Sequence, residues 1–283
     1  MSDKKFRLVT RSDFDGLVCA VLLKEMDLID EVVFVHPKDM QDGKFAVTAR
    51  DITTNLPYVP GVHLCFDHHD SEATRNEKPD ERHIIEVGAA SAARVVYNHY
   101  GGKEAFPRVS EALMTAVDKA DSADYAPQEI IHPSNWTLLN YIMDSRTGLG
   151  RFKDFRISNY QLMMDLIDHC TEHSVDEILA LPDVKERIDL YREHDTKARA
   201  QILRCSQLHG NLVVYDTREE DTLWAVNRFM IYALFPQANI SLHALWGPKK
   251  AKTVFAVGKS IVDRSSQTHV GNLMLKYGGG DRK

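Results

Sequence analysis

The sequence predicts an α/β fold in which a parallel-sheet N-terminal domain with a helical extension is joined by a long helix to a smaller α/β C-terminal domain. Three observations support it. Apolar strand-like runs alternate with helical periodicity up to about residue 120, helical patterning continues alone to about residue 208, and strand-like runs then return. Strands separated by helices are typical of βαβ units, whose strands run parallel.

The N-terminal part carries the patterns of five strands. Strand-like runs lie at 6–10, 31–36, 45–50, 62–66 and 83–87. Helical periodicity covers 16–28 and begins again at Ser91. Gly101-Gly102 is expected to end this second helix, because glycine readily adopts the backbone conformation found at helix ends. The polar stretch 70–82 is expected to be a loop.

A long amphipathic helix is predicted to connect the two domains. Pro182 suits its first turn, and Gly210 suits its end. The later elements are expected at 211–216 (strand), 223–235 (helix), 240–246 and 253–258 (strands) and 270–277 (helix). We therefore predict three segments, namely a first domain over 1–185, the connecting helix over 186–208 and a second domain over 209–283.

The composition excludes several classes of protein. The 283 residues carry a formal net charge of −6, which argues against a polybasic surface for nucleic acid. The four cysteines form no CxxC pair, so we expect no zinc ribbon, and Cys19 and Cys65 should be buried because they lie inside apolar runs. No signal-peptide core and no apolar stretch near ~20 residues is present. We therefore expect a cytoplasmic protein that does not associate with membranes.

Acidic and histidine side chains directly follow three of the predicted strands. The strands at 6–10, 45–50 and 62–66 lead into Arg-Ser-Asp13-Phe-Asp15-Gly16, into Asp51 and into Asp67-His68-His69-Asp70. Because ligands bind beyond the carboxyl ends of strands in an open parallel sheet, we expect these groups to converge. Two carboxylates ~4 Å apart repel by about 4 kcal/mol at an effective dielectric near 20, so either bound cations or protonation must relieve the repulsion. Aspartate and histidine without thiolate suit Mn²⁺ or Mg²⁺, with Zn²⁺ as an alternative.

Each cluster taken singly has an ordinary structural explanation. Asp15 before an apolar helix suits a helix N-cap, and Asp51 after a strand suits a turn. The His68-His69 pair suits a solvated loop. The joint placement at three strand ends is what favours a metal site acting on phosphate.

These motifs also resemble those of a known enzyme family. SDFDG, Asp51 and FDHHD resemble the first three motifs of the DHH phosphoesterase superfamily, and most closely its exopolyphosphatase-like or oligoribonuclease-like subgroup. TVFAVGKS and the final YGGG resemble its associated C-terminal substrate domain, of the DHHA1 type. The resemblance implies that the first domain is the catalytic metal-binding domain and the second binds substrate.

The resemblance also implies a role for each matching residue. The implied metal ligands are Asp13, Asp15, Asp51 and His68, and the implied catalytic residues are His69, which contacts the reacting phosphate, and Asp67, which orients the histidines. Asp51 is expected to bridge two ions. The fourth motif supplies one further acid, for which Asp118, Asp121 and Asp124 qualify. We choose Asp118 because it directly follows an apolar run, with Asp121 as the second choice.

The chain departs from the family pattern in its first motif. Val9 and Arg11 stand where the family usually supplies a further ligand, so the number of ions, one or two, stays open. His36 is a candidate replacement. Arg11 is also a candidate to clamp a phosphate through its planar guanidinium.

The glycine-rich tail is the second departure. Gly278, Gly279 and Gly280 are followed by neither a fourth glycine nor a histidine, so we expect the second domain to be truncated or altered. The amides of these glycines are nevertheless expected to hold a phosphate or carboxylate, because a residue without Cβ allows close approach. The resemblance also implies that Lys259, which lies about where this domain of the family often presents a cation to phosphate, has that role.

Two functions follow from these expectations. The first is a hydrolase in which water activated by Mn²⁺ or Mg²⁺ attacks a phosphoanhydride or phosphoester bond. Its substrate would be polyphosphate, a short single-stranded oligonucleotide or a phosphorylated small molecule such as a nucleotide. The alternative is a degenerate family member that binds a phosphorylated ligand or a partner protein without turnover. Either is compatible with a homodimer.

Overall fold

We describe residues 5–69 and 80–279 of the chain in a computed structural model. Its strands are β1 (Phe6–Thr10), β2 (Ile29–Phe34), β3 (Asp51–Thr54), β4 (Leu64–Asp67), β5 (His83–Ile85), β6 (Ser206–His209), β7 (Leu212–Asp216), β8 (Ile240–Trp246) and β9 (Thr253–Lys259). Its α-helices are α1 (Phe14–Glu25), α2 (Pro37–Gln41), α3 (Ala92–His99), α4 (Glu111–Asp121), α5 (Pro127–Ile131), α6 (Asn135–Met143), α7 (Asn159–Glu172), α8 (Val175–Ala180), α9 (Pro182–Cys205), α10 (Met230–Leu234) and α11 (Val270–Lys276).

The chain divides into two compact units. The first comprises Met1–Asp124, Asn135–Asp144 and Phe155–Lys185, and the second comprises Tyr125–Ser134, Ser145–Asp154 and Glu186–Lys283. Each unit has its own sheet, so the predicted two-domain α/β fold is confirmed. The predicted limits of the domains and of the connecting helix stay a prediction.

The first unit is built on a five-stranded sheet in the order β2-β1-β3-β4-β5, and every pairing in it is parallel. The strand order reverses between β1 and β3, because the chain leaves β1 for one side of the sheet and returns on the other. In open parallel sheets this switch point leaves a crevice beyond the carboxyl ends of the two strands. Helix α1 starts at the crevice and is buried continuously from Phe14 to Leu23, as expected of a helix covered on all sides.

The predicted strand over 45–50 is wrong. The third strand begins at Asp51 instead, and it pairs with β1 through a run of β-branched residues. Phe45 and Val47 are partly buried and pack against a core cluster that contains Val9. The alternation of apolar and polar residues here therefore belongs to a loop whose apolar side chains pack on the core, and this loop is not part of the sheet.

The second unit contains a mixed sheet in the order β6-β7-β8-β9, in which only β7 and β8 are parallel. The long helix α9 ends at Cys205, before the predicted stop at Gly210. Gly210 has a positive φ of 62° and lies between the antiparallel strands β6 and β7, where glycine is favoured.

The predicted helix over 223–235 is reduced to α10. Side chains of α9 bind the backbone that precedes α10, because the amide of Trp224 donates to Gln201 (3.2 Å) and that of Ala225 donates to His194 (3.3 Å). These tertiary hydrogen bonds satisfy backbone groups that a longer helix would have paired internally.

Two composition-based observations also concern the fold. Cys19 and Cys65 are fully buried, as predicted for small apolar side chains. All four cysteines are free thiols. Among the residues described, no helix combines the length and the apolar character needed to cross a membrane.

His243 is expected to make the stability of the second unit depend on pH. Its ring stacks on Tyr215, and its Nε2 lies 2.9 Å from the hydroxyl of Thr217. Burial lowers the pKa of His243 to about 4, with Asp216 opposing and Arg151 adding to the effect. The unfolded chain, with a histidine pKa near 6.5, then binds more protons between these values, so acidification favours unfolding by about 2 kcal/mol at pH 5.

The measurement is urea unfolding of the parent and His243→Gln at pH 7.5 and pH 5. Glutamine keeps a hydrogen-bonding group without a titrating ring. We expect the parent to lose about 2 kcal/mol more than the variant between the two pH values. Equal losses would show that His243 does not titrate differently in the folded protein.

Candidate active site

The turn after β1 positions the first two candidate ligands. Asp13 caps α1, because its backbone is extended and its carboxylate accepts the amide of Gly16 at 3.0 Å. Gly16 is required at this position, since a Cβ would lie 2.0 Å from the carbonyl oxygen of Arg11. The N-cap explanation considered for Asp15 therefore applies to Asp13.

Asp15 is buried at the crevice, with 2% of its surface exposed. Its carboxylate accepts the amides of Ala92 (3.0 Å) and Ala93 (2.8 Å) at the amino end of α3. Burial, followed by the charges of Asp121 and Asp13, raises the pKa of this carboxyl well above its usual range. A divalent cation would relieve this repulsion.

His68 follows β4 and has one ring nitrogen held by the backbone. Its Nδ1 lies 3.0 Å from the carbonyl oxygen of Ala89, which leaves Nε2 as the nitrogen for a ligand. Nε2 lies 3.0 Å from Oδ2 of Asp121, yet it has no hydrogen-bond partner of good geometry among the described residues. We therefore regard this pair as an electrostatic contact. Burial lowers the pKa of His68, but Asp121 and Asp15 outweigh it and raise the pKa to about 9.

One donor atom from each of Asp15, His68 and Asp121 completes a compact group. These atoms all lie within 4.8 Å of one another. Two carboxylates and an imidazole, without a thiolate, form a donor set that suits Mn²⁺ or Mg²⁺.

Asp67 organises the two histidines that follow it. Its Oδ1 accepts the amides of His68 (2.7 Å) and His69 (3.2 Å) and lies 2.6 Å from Nδ1 of His69. Its Oδ2 is buried without a hydrogen-bond partner among the described residues. These contacts fix the position of both histidines and leave Nε2 of His69 unused by Asp67, while the catalytic roles that the resemblance implies for Asp67 and His69 stay a prediction.

The acid of α4 that lies beside Asp15 and His68 is Asp121, and not Asp118, which we preferred from the sequence. The carboxylate of Asp118 is held by Arg94, with Nε at 2.8 Å and Nη2 at 2.5 Å, and by the hydroxyl of Ser91 at 2.7 Å. Asp121, the last residue of α4, reaches Asp15 and His68 instead. The two acids are one helical turn apart, so only the packing of α4 decides which of them reaches the crevice.

The structure does not bring Asp51 to this site. Asp51 begins β3 and pairs in register with Arg7 near the start of β1, so it lies at the opposite end of the parallel sheet from Asp13. It is fully buried, and it accepts Arg7 Nε at 2.7 Å, Arg7 Nη2 at 2.9 Å and the amide of Thr48 at 2.6 Å. The prediction that Asp51 bridges two ions is therefore wrong, because the strand starts where we expected it to end.

Asn55 occupies the position after β3 where an acid was expected. Its backbone is left-handed, with a φ of 53°, and 2% of its surface is exposed. Its Nδ2 lies 3.3 and 3.4 Å from the two carboxylate oxygens of Asp13, and its Oδ1 is buried without a hydrogen-bond partner among the described residues. Strained buried polar residues cluster at functional sites. Our sequence analysis missed Asn55, although the β-branched run ITT before Asn-Leu-Pro marks the end of a strand.

A comparison with solved structures identifies a relative of the chain. The pGpG-specific phosphodiesterase PggH from Vibrio cholerae is 59% identical, superposes with a TM-score of 0.88, and matches over 98% of this chain and 90% of its own. This chain belongs to the PggH phosphodiesterase family. It is therefore an enzyme of the phosphodiesterase class, and the prediction of a phosphate-ester hydrolase is confirmed in that general form.

The fold comparison also returned an uncharacterized protein from Helicobacter pylori G27, which aligns over 96% of this chain and 88% of its own at 8% identity and a TM-score of 0.32. No family model and no curated protein matches the chain.

Two of the predicted basic groups of this phosphodiesterase lie in different units. Arg11 is beside the crevice of the first unit, with its Nε 2.9 Å from Oδ2 of Asp13. Lys259 is the last residue of β9 in the second unit, and it is exposed. His36, the candidate replacement ligand, instead caps α2, where its Nδ1 accepts the amide of Lys38 at 3.1 Å.

The glycines of the tail cap the last helix. The amide of Gly278 donates to the carbonyl of Leu275 (3.1 Å), and that of Gly279 donates to Met274 (2.9 Å). Gly278 has a φ of 72°, so this is a Schellman motif, in which glycine is favoured. The prediction that these two amides bind a phosphate is therefore wrong, because the helix end already uses both. Gly280 lies outside the described residues.

Proposed function

We propose that this phosphodiesterase hydrolyses pGpG or a closely related short linear dinucleotide to mononucleotides, with Mn²⁺ or Mg²⁺ held by Asp15, His68 and Asp121. The observation that carries the proposal is the convergence of these three side chains, of which Asp15 is buried and the other two are partly buried, at the switch point of a sheet in a chain 59% identical to a pGpG-specific enzyme. Asp15 and His68 belong to the two motifs that resemble those of the DHH phosphoesterases, and Asp121 was the second choice for the fourth motif.

The cation, when bound, would polarise a phosphoryl oxygen and supply water of lowered pKa. Asp67 holds the ring of His69 through Nδ1, which leaves the other ring nitrogen to contact the reacting phosphate. The amides at the start of α3 hold Asp15, and the carbonyl of Ala89 holds His68. Asp15 and His68 therefore each have a backbone partner that fixes their orientation before substrate arrives.

The direct test is hydrolysis of pGpG by the purified full chain, with products separated by ion-exchange chromatography. We expect release of GMP that requires Mn²⁺ or Mg²⁺, stops with EDTA and returns when the cation is restored. Cyclic di-GMP, a longer single-stranded oligonucleotide and polyphosphate serve as competing substrates. Faster hydrolysis of polyphosphate would replace the proposal with the exopolyphosphatase-like activity. Tight binding of pGpG without GMP release would favour the binding-only alternative.

Replacing His69 by glutamine is expected to separate catalysis from cation binding. Because the ring contacts the phosphate and is not among the three converging ligands, kcat should fall by about 100-fold while the Mn²⁺ content stays that of the parent. The measurement is kcat for pGpG together with elemental analysis of the dialysed protein. His63→Gln is the matched control, since His63 precedes β4 at the far end of the same strand, where it stacks on Phe6. A His69→Gln enzyme that keeps the kcat of the parent would refute this role.

A further inference from the structure

The carboxylates around the crevice fall into two groups that differ in how their charge is balanced. Asp13 is surrounded by nitrogen donors, namely the amide of Gly16 at 3.0 Å, Nδ2 of Asn55 at 3.3 Å and Nε of Arg11 at 2.9 Å. Asp15 and Asp121 face each other and Nε2 of His68 across less than 4.8 Å. Asp15 also accepts the amides of Ala92 and Ala93. The two groups differ in the side-chain nitrogen that they hold, because the imidazole of His68 can ligate a cation, whereas the guanidinium of Arg11 cannot.

We propose, resting on the proposed function, that the site binds a single divalent cation at Asp15, His68 and Asp121, and that the guanidinium of Arg11 paired with Asp13 takes the place of a second one.

The contacts of Asp13 given above are to nitrogen donors, which a second cation beside it would have to displace. Val9, one residue before the end of β1, is apolar and fully buried. Asn55 turns its Nδ2 toward Asp13, which is the only chemically reasonable orientation because a carboxylate accepts and does not donate hydrogen bonds. Two cations about 3.5–4 Å apart are normally bridged by a carboxylate. In this chain the residue that follows β3 and contacts Asp13 is Asn55, whose side chain is a neutral amide and not a carboxylate.

The charge of Arg11 also opposes a second ion. An arginine stays protonated at any working pH, so a dication beside Asp13 would meet a permanent positive charge. The positive charge of Arg11 would also stabilise the negative charge that develops on the phosphate during attack. A second cation would have the same effect. Asp13 holds the guanidinium of Arg11, and the side-chain amide of Asn55 in turn holds Asp13. Arg11 is therefore assigned a part in binding the phosphate, and Asn55 a part in keeping the site mononuclear.

The test is the number of Mn²⁺ ions bound per full-length chain, measured by equilibrium dialysis with elemental analysis and by electron paramagnetic resonance. We expect one ion and the six-line spectrum of an isolated Mn²⁺. Asp13→Asn should still bind one ion, whereas Asp121→Asn should bind none. The double variant Arg11→Asp with Asn55→Asp should bind two ions with a spectrum broadened by coupling. Arg11→Gln should keep one ion but lower kcat/KM for pGpG at least 10-fold, and Arg11→Lys should restore part of that loss.

The outcomes separate this inference from the proposed function. Two ions in the parent, with pGpG hydrolysed, would overturn the inference and leave the function standing. One ion without pGpG hydrolysis would overturn the function and leave the single-ion site standing. A folded double variant that still binds one ion would show that Arg11 and Asn55 do not exclude the second ion. Circular dichroism of every variant guards against loss of fold.

Discussion

Asp121→Asn is expected to abolish cation binding and to lower kcat/KM for pGpG by at least about 100-fold, whereas Asp118→Asn should preserve both. The reason is geometric. Asp121 places an oxygen 3.0 Å from Nε2 of His68, while the carboxylate of Asp118 is held by Arg94 and Ser91. Removing one of two anionic ligands from the converging group leaves too little charge to hold a dication.

The two variants form a matched pair, since they make the same chemical change one helical turn apart on α4. The measurements are Mn²⁺ content and steady-state kinetics with pGpG. Asp118→Asn should instead lower the free energy of unfolding by about 1–3 kcal/mol, because Arg94 loses a charged partner. Loss of the cation in Asp118→Asn and its retention in Asp121→Asn would reverse the assignment.

The largest effect on stability is expected at Asp51. Asp51→Ala should lower the free energy of unfolding by about 3–5 kcal/mol, because Arg7 would keep its charge in a largely buried position after losing a partner that binds it through two nitrogens. The folded fraction should bind Mn²⁺ and hydrolyse pGpG as the parent does, since Asp51 lies at the far end of the sheet.

The control for this prediction is the double variant Arg7→Met with Asp51→Leu, which removes both charges. We expect it to be more stable than either single variant, because replacing a whole buried ion pair costs less than leaving one charge unpaired. Urea unfolding measures all four proteins. If Asp51→Ala bound no cation but kept the stability of the parent, the prediction would be refuted and Asp51 would have to be a metal ligand.

Local features of the sequence were sufficient for most of the fold and for two parts of the site. Alternating strands and helices predicted the parallel sheet, and SDFDG and FDHHD placed Asp15 and His68 correctly at strand ends, since both motifs directly follow short runs with clear apolar patterning. The small buried cysteines followed from the same patterning. These features depend on residues close together in the chain, which is why one sequence was enough.

Tertiary packing alone decided the rest. The alternation of Phe45 and Val47 looked like a strand because a loop packing on the core produces the same pattern. The true strand ends four residues later than predicted, which puts Asn55 in the place expected for Asp51. The choice between Asp118 and Asp121 depended on how α4 packs beside Arg94 and His68, which helical spacing does not determine. The sequence by itself determined which chemical groups were present and near which strands. Only the three-dimensional arrangement decided which end of a strand, and which turn of a helix, faces the crevice, because those choices follow from contacts between residues far apart in the chain.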